Sequence, residues 1–555
     1  MNFNKKQSVY GADVIISEMF EALITSEKVS KVQLTTLSNT YEDIYLRRKI
    51  KRIINSNKLP ADKVEIIDRM KLIQEDKKTN VDILHDFGNN FMHGLYYRNK
   101  FLKESVPFTF TLHCSSMPNY VRDFYFQQVI MPFKSYDSLI CTSSSLKSVV
   151  STYIDTISEK ISRYGNNKVK YEGRMDIIPL GIDTNKFYPL NKKEVRKKYN
   201  IDSDAFVILC AGRLSAFDKG DLYPVFLVLK RIIVGNVDTN IILIIAGEDV
   251  SGIQIKSSYK KYAEELGVIK NIIFTEMKYS ERNEIYNMAD VFLAPTDNIQ
   301  ETFGLTPIEA MAAGIPQVVS DWDGYKDTVR DGVTGFRIPT YMSLCDEDCN
   351  DFPYHLVENE LFYTHFLFAQ STVIDLEILQ DKIELLMKHK YLRDKMSEKS
   401  IEIANEYFTL KNMMDKYNDL WSELIEIKKI EDGQEAGKKD NVMFDIYANL
   451  YSDAYKSYPT YIISETQMMC ITKYGIAVMN KEVVIPYHYK IEEIFREFMV
   501  MDYILELVYE QECITIGQLI DNMSSKYNKS VIKRGVMYLV KQGALKFIGK
   551  DFEII

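Results

Sequence analysis

No apolar run in the 555 residues approaches the ~18 to 20 needed to cross a bilayer, and the opening MNFNKKQSVYGAD has no apolar core of signal-peptide type. No integral membrane segment is expected, and a cytoplasmic location follows by default. Cysteine is sparse: the seven residues (114, 141, 210, 345, 349, 470 and 513) lie mostly inside apolar runs such as SLICTS and VILCAG. There they read as small buried hydrophobes with reduced thiols. Cys345 and Cys349 in SLCDEDCND have neither a common zinc spacing nor a second Cys/His pair nearby, so no metal site is expected. Long blocks of one charge are also missing. The formal net charge of -9 is spread along the chain, which excludes a whole-protein attraction to nucleic acid or to an anionic membrane. No internal repeat or low-complexity tract is present.

What the chain does have is the balance of an ordinary globular protein, 46% apolar and 26% charged residues, at a length that calls for about three or four compact units. From about residue 29 to 180, short β-rich runs (KVQLTTL, VDILHDF, FTFTLHC, DSLICTS, MDIIPLG) alternate with helical stretches, the pattern of a parallel sheet with crossover helices. A second such series follows in AFVILCAG, NIILIIAG, NIIFTEM, DVFLAPT and IPQVVSD. The fold class expected is therefore α/β, with two Rossmann-like doubly wound domains, residues 1–180 and 181–428, facing each other across a cleft where open sheets bind ligands. A helical region from about 373 to 428 ends in a stretch whose Met414, Tyr417, Leu420, Trp421 and Leu424 recur at helical spacing, a docking helix. Residues 429–441 are charged, contain glycine and read as a linker. Beyond it, 442–555 reads as a winged-helix-like α+β module: short strands over 461–487, then helices near 491–509, 516–526 and 530–542.

Residues 295–316, PTDNIQETFGLTPIEAMAAGIP, place Glu301 in a loop and Glu309 just inside the helix that follows. Two readings are open for Glu309. Thr306, Pro307 and Glu309 have the spacing of a capping box, in which Glu309 only satisfies backbone donors; the alternative is a functional acid. Glu301 has no cap to serve, leaving a solvated loop acid or a site residue. The loop also brings successive backbone N–H groups (Phe303, Gly304, Leu305, Thr306) to a helix amino end, a ready anion seat. On the first strand of the same domain, AGRLSAFDKGD sets Arg213 and Lys219 just past the strand end, with Gly212 and Gly220 permitting close backbone approach. Two cations beside a helix amino end suit a diphosphate.

The combination of AGRLSAFDKG, the block from ADVFLAPT to GVTGF and the earlier DIIPLGIDTNKFYP resembles the family-four retaining glycosyltransferases of the GT-B fold, over roughly residues 75 to 425. The Glu-x7-Glu motif carries the resemblance, with its Phe-Gly, Pro-Ile-Glu-Ala and Gly-Ile-Pro surroundings in order. The resemblance implies that Arg213 and Lys219 neutralise the departing nucleotide diphosphate. It places Glu301 close to the donor sugar and Glu309 on the ribose hydroxyls, with the amides around Phe303, Gly304 and Leu305 on the phosphates. His113 in FTLHC becomes a candidate contact to the donor sugar, a buried and satisfied histidine being the alternative; His85 has a counterpart with a vaguer role. The implied activity is metal-independent hexosyl transfer from a UDP- or GDP-linked sugar as co-substrate, with no other cofactor.

The chain departs from the family in its first residues, where an apolar strand and a Gly-Gly loop are replaced by a single glycine, Gly11, the candidate for the amino-terminal phosphate contact. The Arg213-to-Lys219 gap is one residue longer than the commonest version, and residues 337–375 are inserted after GVTGF. Strands followed by three helices in the last unit also look like small modules that take a peptide as an added strand, which would make the acceptor a peptide or protein rather than a saccharide or small molecule. Its glutamates argue against nucleic acid. A catalytically idle GT-B scaffold for binding or assembly is the alternative to an enzyme, and the retained Arg213, Lys219, Glu301 and Glu309 speak against it.

Overall fold

The computed structural model describes residues 11–36, 41–56, 59–68, 72, 78–87, 91–117, 123–165, 168–216, 219–249, 255–343, 363–434, 454–455, 457–485, 499–549 and 552–554. The first lobe opens with the helix Gly11–Thr25, followed by strands β1 (Val32–Thr36) and β2 (Val64–Asp68), which form a parallel pair in register Val32↔Val64. Strands β3 (Leu84–Asp86), β4 (Phe108–Leu112), β5 (Ser138–Cys141) and β6 (Arg174–Ile177) make a separate four-stranded parallel sheet in chain order. β1 and β3 belong to different sheets, and residues of both line the main cavity. Residues 1–10, where the strand of the resembling family would lie, are outside the described set.

The second lobe follows from its strands. β7 (Phe206–Ala211) and β8 (Ile241–Ala246) are continuous apolar runs, as a parallel sheet covered on both faces requires. With β9 (Ile272–Thr275), β10 (Val291–Ala294), β11 (Gln317–Ser320) and β12 (Gly335–Ile338) they form one parallel sheet of order β12-β11-β10-β7-β8-β9. The winding starts at β7, runs outward to β9, then returns to β10 on the other side of β7. The connections after β7 and β10 leave in opposite directions, and right-handed crossovers then put their helices on opposite faces. A crevice opens between the carboxyl ends of these two strands, where a doubly wound sheet binds its ligand.

Three helices close this lobe, Leu376–Lys388, Lys390–Tyr407 and Leu410–Gln434; the last continues into the stretch read as a linker. The five apolar residues of the docking stripe are all buried. They cross to the first lobe, where Tyr417 Oη lies 2.7 Å from Thr111 Oγ1 and Trp421 Nε1 donates to Thr109 Oγ1 at 3.0 Å. One apolar cluster joins Ile15, Met19 and Leu23 of the first helix, the inner face of the second sheet and this terminal helix. Of the 337–375 insertion, β13 (Thr340–Met342) and β14 (Thr372–Ile374) form an antiparallel pair. Its helix Tyr363–Gln370 carries the buried His365 to within 3.2 Å of the Ser116 carbonyl on the first lobe.

The last unit has its own core around Met469, Ile504, Leu519, Val536 and Leu539. β16 (Met468–Ile471) lies between β17 (Cys513–Thr515) and β18 (Leu545–Ile548), antiparallel to both, while β15 (Tyr461–Ile463) pairs with β19 (Phe552–Ile554). Helices Met499–Glu510, Ile516–Met523 and Lys529–Lys541 pack on this sheet. Two expectations are corrected here. Lys473–Met479, expected among short strands, is helical: Thr472 accepts the Gly475 N–H and caps it. The thiols are not all reduced, because Cys470 and Cys513 face each other directly across β16 and β17, with Cα atoms 4.4 Å apart, and form a disulfide. Cys114, Cys141 and Cys210 are free and buried as expected; Cys345 and Cys349 lie outside the described residues. Among the described residues no helix is long and apolar enough to cross a membrane, and no cluster of three His, Cys, Asp or Glu could hold a metal ion.

Candidate active site

A cavity of about 1510 Å³ opens at the crevice between β7 and β10 and reaches the first lobe. Gly212, Arg213, Lys219 and Gly220 line it from the loop after β7, and Glu301 to Thr306 from the loop after β10. His85 and His113 line it from the ends of β3 and β4. The two loops touch closely: Gly220 has φ +156°, and a Cβ there would stand 2.6 Å from the Pro295 carbonyl oxygen. Only glycine fits.

Lys219 Nζ lies 3.1 Å from Glu301 Oε2, with the two side chains 32% and 13% exposed. Burial raises the Glu301 pKa, but the Lys219 ammonium and the Thr302 and Phe303 amides outweigh it and hold the carboxylate below its ordinary range. Glu301 is thus neither a solvated loop acid nor a group stored neutral; it stands ionised against a cation at the cavity wall. Arg213 is half-buried on the same wall. The helix after the loop runs from Leu305 to Ala312 with Gly304 as its N-cap, and no side chain caps it. Gly304 has φ +88°, and a Cβ there would fall 2.2 Å from Tyr325 Cε1. This corrects the capping-box reading. The helix begins two residues earlier than the spacing of Thr306 and Glu309 implies, leaving Thr306 inside the first turn and the amino end open toward the cavity.

Glu309 is not among the residues that line the cavity. It is 2% exposed, with Oε1 3.0 Å from Arg282 Nη1 and Oε2 accepting from Tyr286 Oη at 2.6 Å. Burial raises its pKa, partly offset by Arg282 and Tyr286. Arg282, which the sequence analysis did not single out, does line the cavity, stacked 5.3 Å from the Tyr279 ring centroid. Tyr279 Oη in turn donates to Glu18 of the first helix at 2.5 Å, and Lys186 pairs with the same carboxylate. The signal available in the sequence was Glu309 itself: an acid in a helix with buried neighbours on both sides must have a partner. Gly11 is the first residue of the helix Gly11–Thr25.

On the facing lobe, burial pushes His113 down to about 4, so its imidazole is neutral at pH 7. Its Nε2 is buried and has no hydrogen-bond partner within the protein. His85 is different: Nδ1 lies 2.8 Å from Thr109 Oγ1, and burial, helped by His113, pushes its pKa to about 3. Thr302 ties the lobes together, donating from Oγ1 to the His113 carbonyl at 3.1 Å.

Asp323, on the turn after β11, is pushed up to about 8 by burial, then by the charges of Glu301 and Asp327, with a Ser143 hydrogen bond acting the other way. An acid whose folded pKa lies above its unfolded value binds an extra proton in the fold between about pH 4 and 8. It therefore lowers stability progressively as pH rises through that window. Asp323→Asn removes this slope: the advantage of the variant in thermal melts widens from pH 5 to pH 8.5. A constant gap across that range would contradict the assignment.

The architecture is thus two facing α/β lobes, with Arg213 and Lys219 on the cavity wall at the sheet switch point of the second. Residues 191–344 match the family model described as glycosyl transferases group 1. The chain is 30% identical over 171 residues to the D-inositol 3-phosphate glycosyltransferase of Mycobacteroides abscessus, 31% of this chain and 37% of that protein. It is 31% identical over 205 residues to the lipopolysaccharide 1,2-N-acetylglucosaminetransferase of Salmonella typhimurium, 35% of this chain and 51% of that one. The match thus spans about half or less of these relatives' lengths. The fold is GT-B-like: a glycosyltransferase from Rickettsia africae superposes with a TM-score of 0.53 at 17% identity, covering 75% of this chain and 96% of that one. Anabaena HepE in complex with UDP and glucose gives 0.51 at 14%, covering 76% and 98%.

Proposed function

We propose that the protein transfers a hexosyl group, with retention of anomeric configuration and without a metal, from a UDP- or GDP-linked sugar to an acceptor. The observation that carries this reading is the convergence of Lys219, Glu301 and the uncapped amino end of helix Leu305–Ala312 on one cavity wall, opposite the unpartnered Nε2 of His113. Breaking the bond between the anomeric carbon and the phosphate oxygen leaves negative charge on the diphosphate, and fixed cations with amide donors aimed there lower the barrier most. In this reading Arg213 and Lys219 carry that charge, the amides of Phe303, Gly304, Leu305 and Thr306 hold the phosphates, and Gly212 lets the backbone come close. Glu301 and His113 face the sugar. The acceptor oxygen forms its bond to the anomeric carbon on the face the diphosphate leaves, and its proton passes to the departing phosphate oxygen. Glu309 fixes Arg282 at the cavity edge, and the chain around Gly11 approaches the phosphates from the first lobe.

The last unit, with helices on an antiparallel sheet edged by β17, is winged-helix-like in this reading and suits the binding of an acceptor peptide or partner as an added strand. The reading is tested by incubating the full chain with a panel of UDP- and GDP-sugars and following nucleotide diphosphate release. One donor base is expected to be consumed, with the product anomer matching the donor by NMR. Failure of every donor to bind or react would refute it.

A further inference from the structure

We propose that the turn Asp321–Tyr325, with Asp327, is a positioning element that couples closure of the two lobes to the geometry of the Glu301 loop; its role in catalysis rests on the transfer reading above. One side of this segment holds the first lobe. Asp327 Oδ2 accepts the Ser144 N–H and its Oδ1 accepts the Ser144 hydroxyl, both at 2.6 Å. Ser143 Oγ donates to Asp323 Oδ1 at 3.4 Å while accepting the Leu146 N–H, and Ser145 Oγ donates to the Asp323 carbonyl at 3.2 Å. Three consecutive serines at the amino end of the helix Ser144–Gly165 are thus gripped by one short segment of the other lobe. The carboxylate of Asp327 sits where the positive end of that helix favours it.

The other side of the turn holds the loop that carries Glu301. Trp322 Nε1 donates to the Asn298 carbonyl at 2.7 Å, and Tyr325 Oη lies 3.0 Å from Thr296 Oγ1. A Cβ on Gly324 would stand 2.4 Å from Phe303 Cα, so the turn lies directly under the residues that begin the anion seat. Asp323 holds φ +39°, a sparsely populated conformation for a non-glycine residue, which is retained because both sides of the turn are pinned. When the serines leave, the restraint on one side of the turn goes, and the Thr296–Gly304 loop loses its fixed support. Tyr325 lines the cavity but Trp322, Asp323 and Asp327 do not, so these three act through the loop and not on a ligand.

The test uses the full chain and reads amide hydrogen exchange at residues 302–305, which does not depend on any donor being turned over. Asp327→Ala removes the grip on Ser144, and Trp322→Phe removes only the bond to Asn298. Both are expected to speed exchange at 302–305 by about tenfold. Only Asp327→Ala is expected to widen the lobe separation seen by X-ray scattering, and Asp327→Glu restores part of both. With an active donor, kcat falls about five- to twentyfold in both alanine and phenylalanine variants while UDP affinity stays within about twofold. Wider lobes in Asp327→Ala with unchanged exchange at 302–305 would overturn the coupling. So would an equal loss of exchange protection throughout the second lobe, which marks plain destabilisation. Absence of turnover with every donor, alongside the expected exchange pattern, would instead count against the transfer reading alone.

Discussion

Lys219→Ala lowers kcat for sugar transfer by about 10²- to 10³-fold and weakens binding of the nucleoside diphosphate product, while Glu301→Gln lowers kcat but leaves that binding equal or tighter. The opposite signs in binding follow from the pair itself. Lys219 and Glu301 are 3.1 Å apart on the cavity wall, so in the proposed reaction the cation assigned to the phosphates is partly neutralised by the acid beside it. Removing the cation leaves a diphosphate facing a carboxylate in a partly dry cleft, where charge interactions are stronger than in water. Removing the acid frees the full ammonium for the phosphates but takes away the negative group beside the sugar, where positive charge builds in the transition state. The measurement is a pair of UDP and GDP titrations by calorimetry with donor kinetics for each variant. If both variants lose binding alike, the two side chains act as one structural bridge and not as opposed parts of a site.

Glu309→Leu lowers the melting transition of the second lobe by on the order of 10 °C, a loss of about 3–5 kcal/mol. Glu309 is nearly inaccessible and its two oxygens are spent on Arg282 and Tyr286. Taking it away strands a guanidinium that is only 18% exposed and a buried phenol. Breaking a buried pair by deleting one partner costs more than the pair contributes when whole, because the remaining charge has lost its solvation as well. Differential scanning calorimetry on the full chain, with UDP titration of the folded variant at low temperature, separates this from a contact to the donor. A melting point held within about 2 °C with a large loss of UDP affinity would return Glu309 to the ribose hydroxyls, the place the family resemblance gives it.

Both loops that line the cavity after β7 and β10 were legible in the sequence because a parallel strand ends where its apolar run ends. AFVILCAG and DVFLAPT announce the carboxyl edges of β7 and β10, and Arg213, Lys219 and Glu301 follow those edges at short range. The docking helix was equally clear, since a stripe at 3.6-residue spacing has one apolar face to bury. What failed was local competition between patterns. Thr306 and Glu309 fit a capping box on paper, yet Gly304 takes the N-cap, because its positive φ and the Tyr325 ring beneath it fix where the helix starts. Partners distant in sequence left no trace: Arg282 is 27 residues from Glu309, and Ser144 is 183 from Asp327. The disulfide was missed because cross-strand register sets it, and neither Cys470 nor Cys513 shows its strand position in composition.

A crystal structure of the full chain with UDP bound at saturation bears most directly on the claim that β7 and β10 build a diphosphate seat. The account predicts phosphate oxygens within hydrogen-bond reach of Lys219 Nζ and of the Gly304 and Leu305 amides, with Arg213 turned to the same group and Glu301 left facing the sugar side. A diphosphate bound elsewhere, or Lys219 still on Glu301 with no phosphate at the Leu305 helix end, would contradict it.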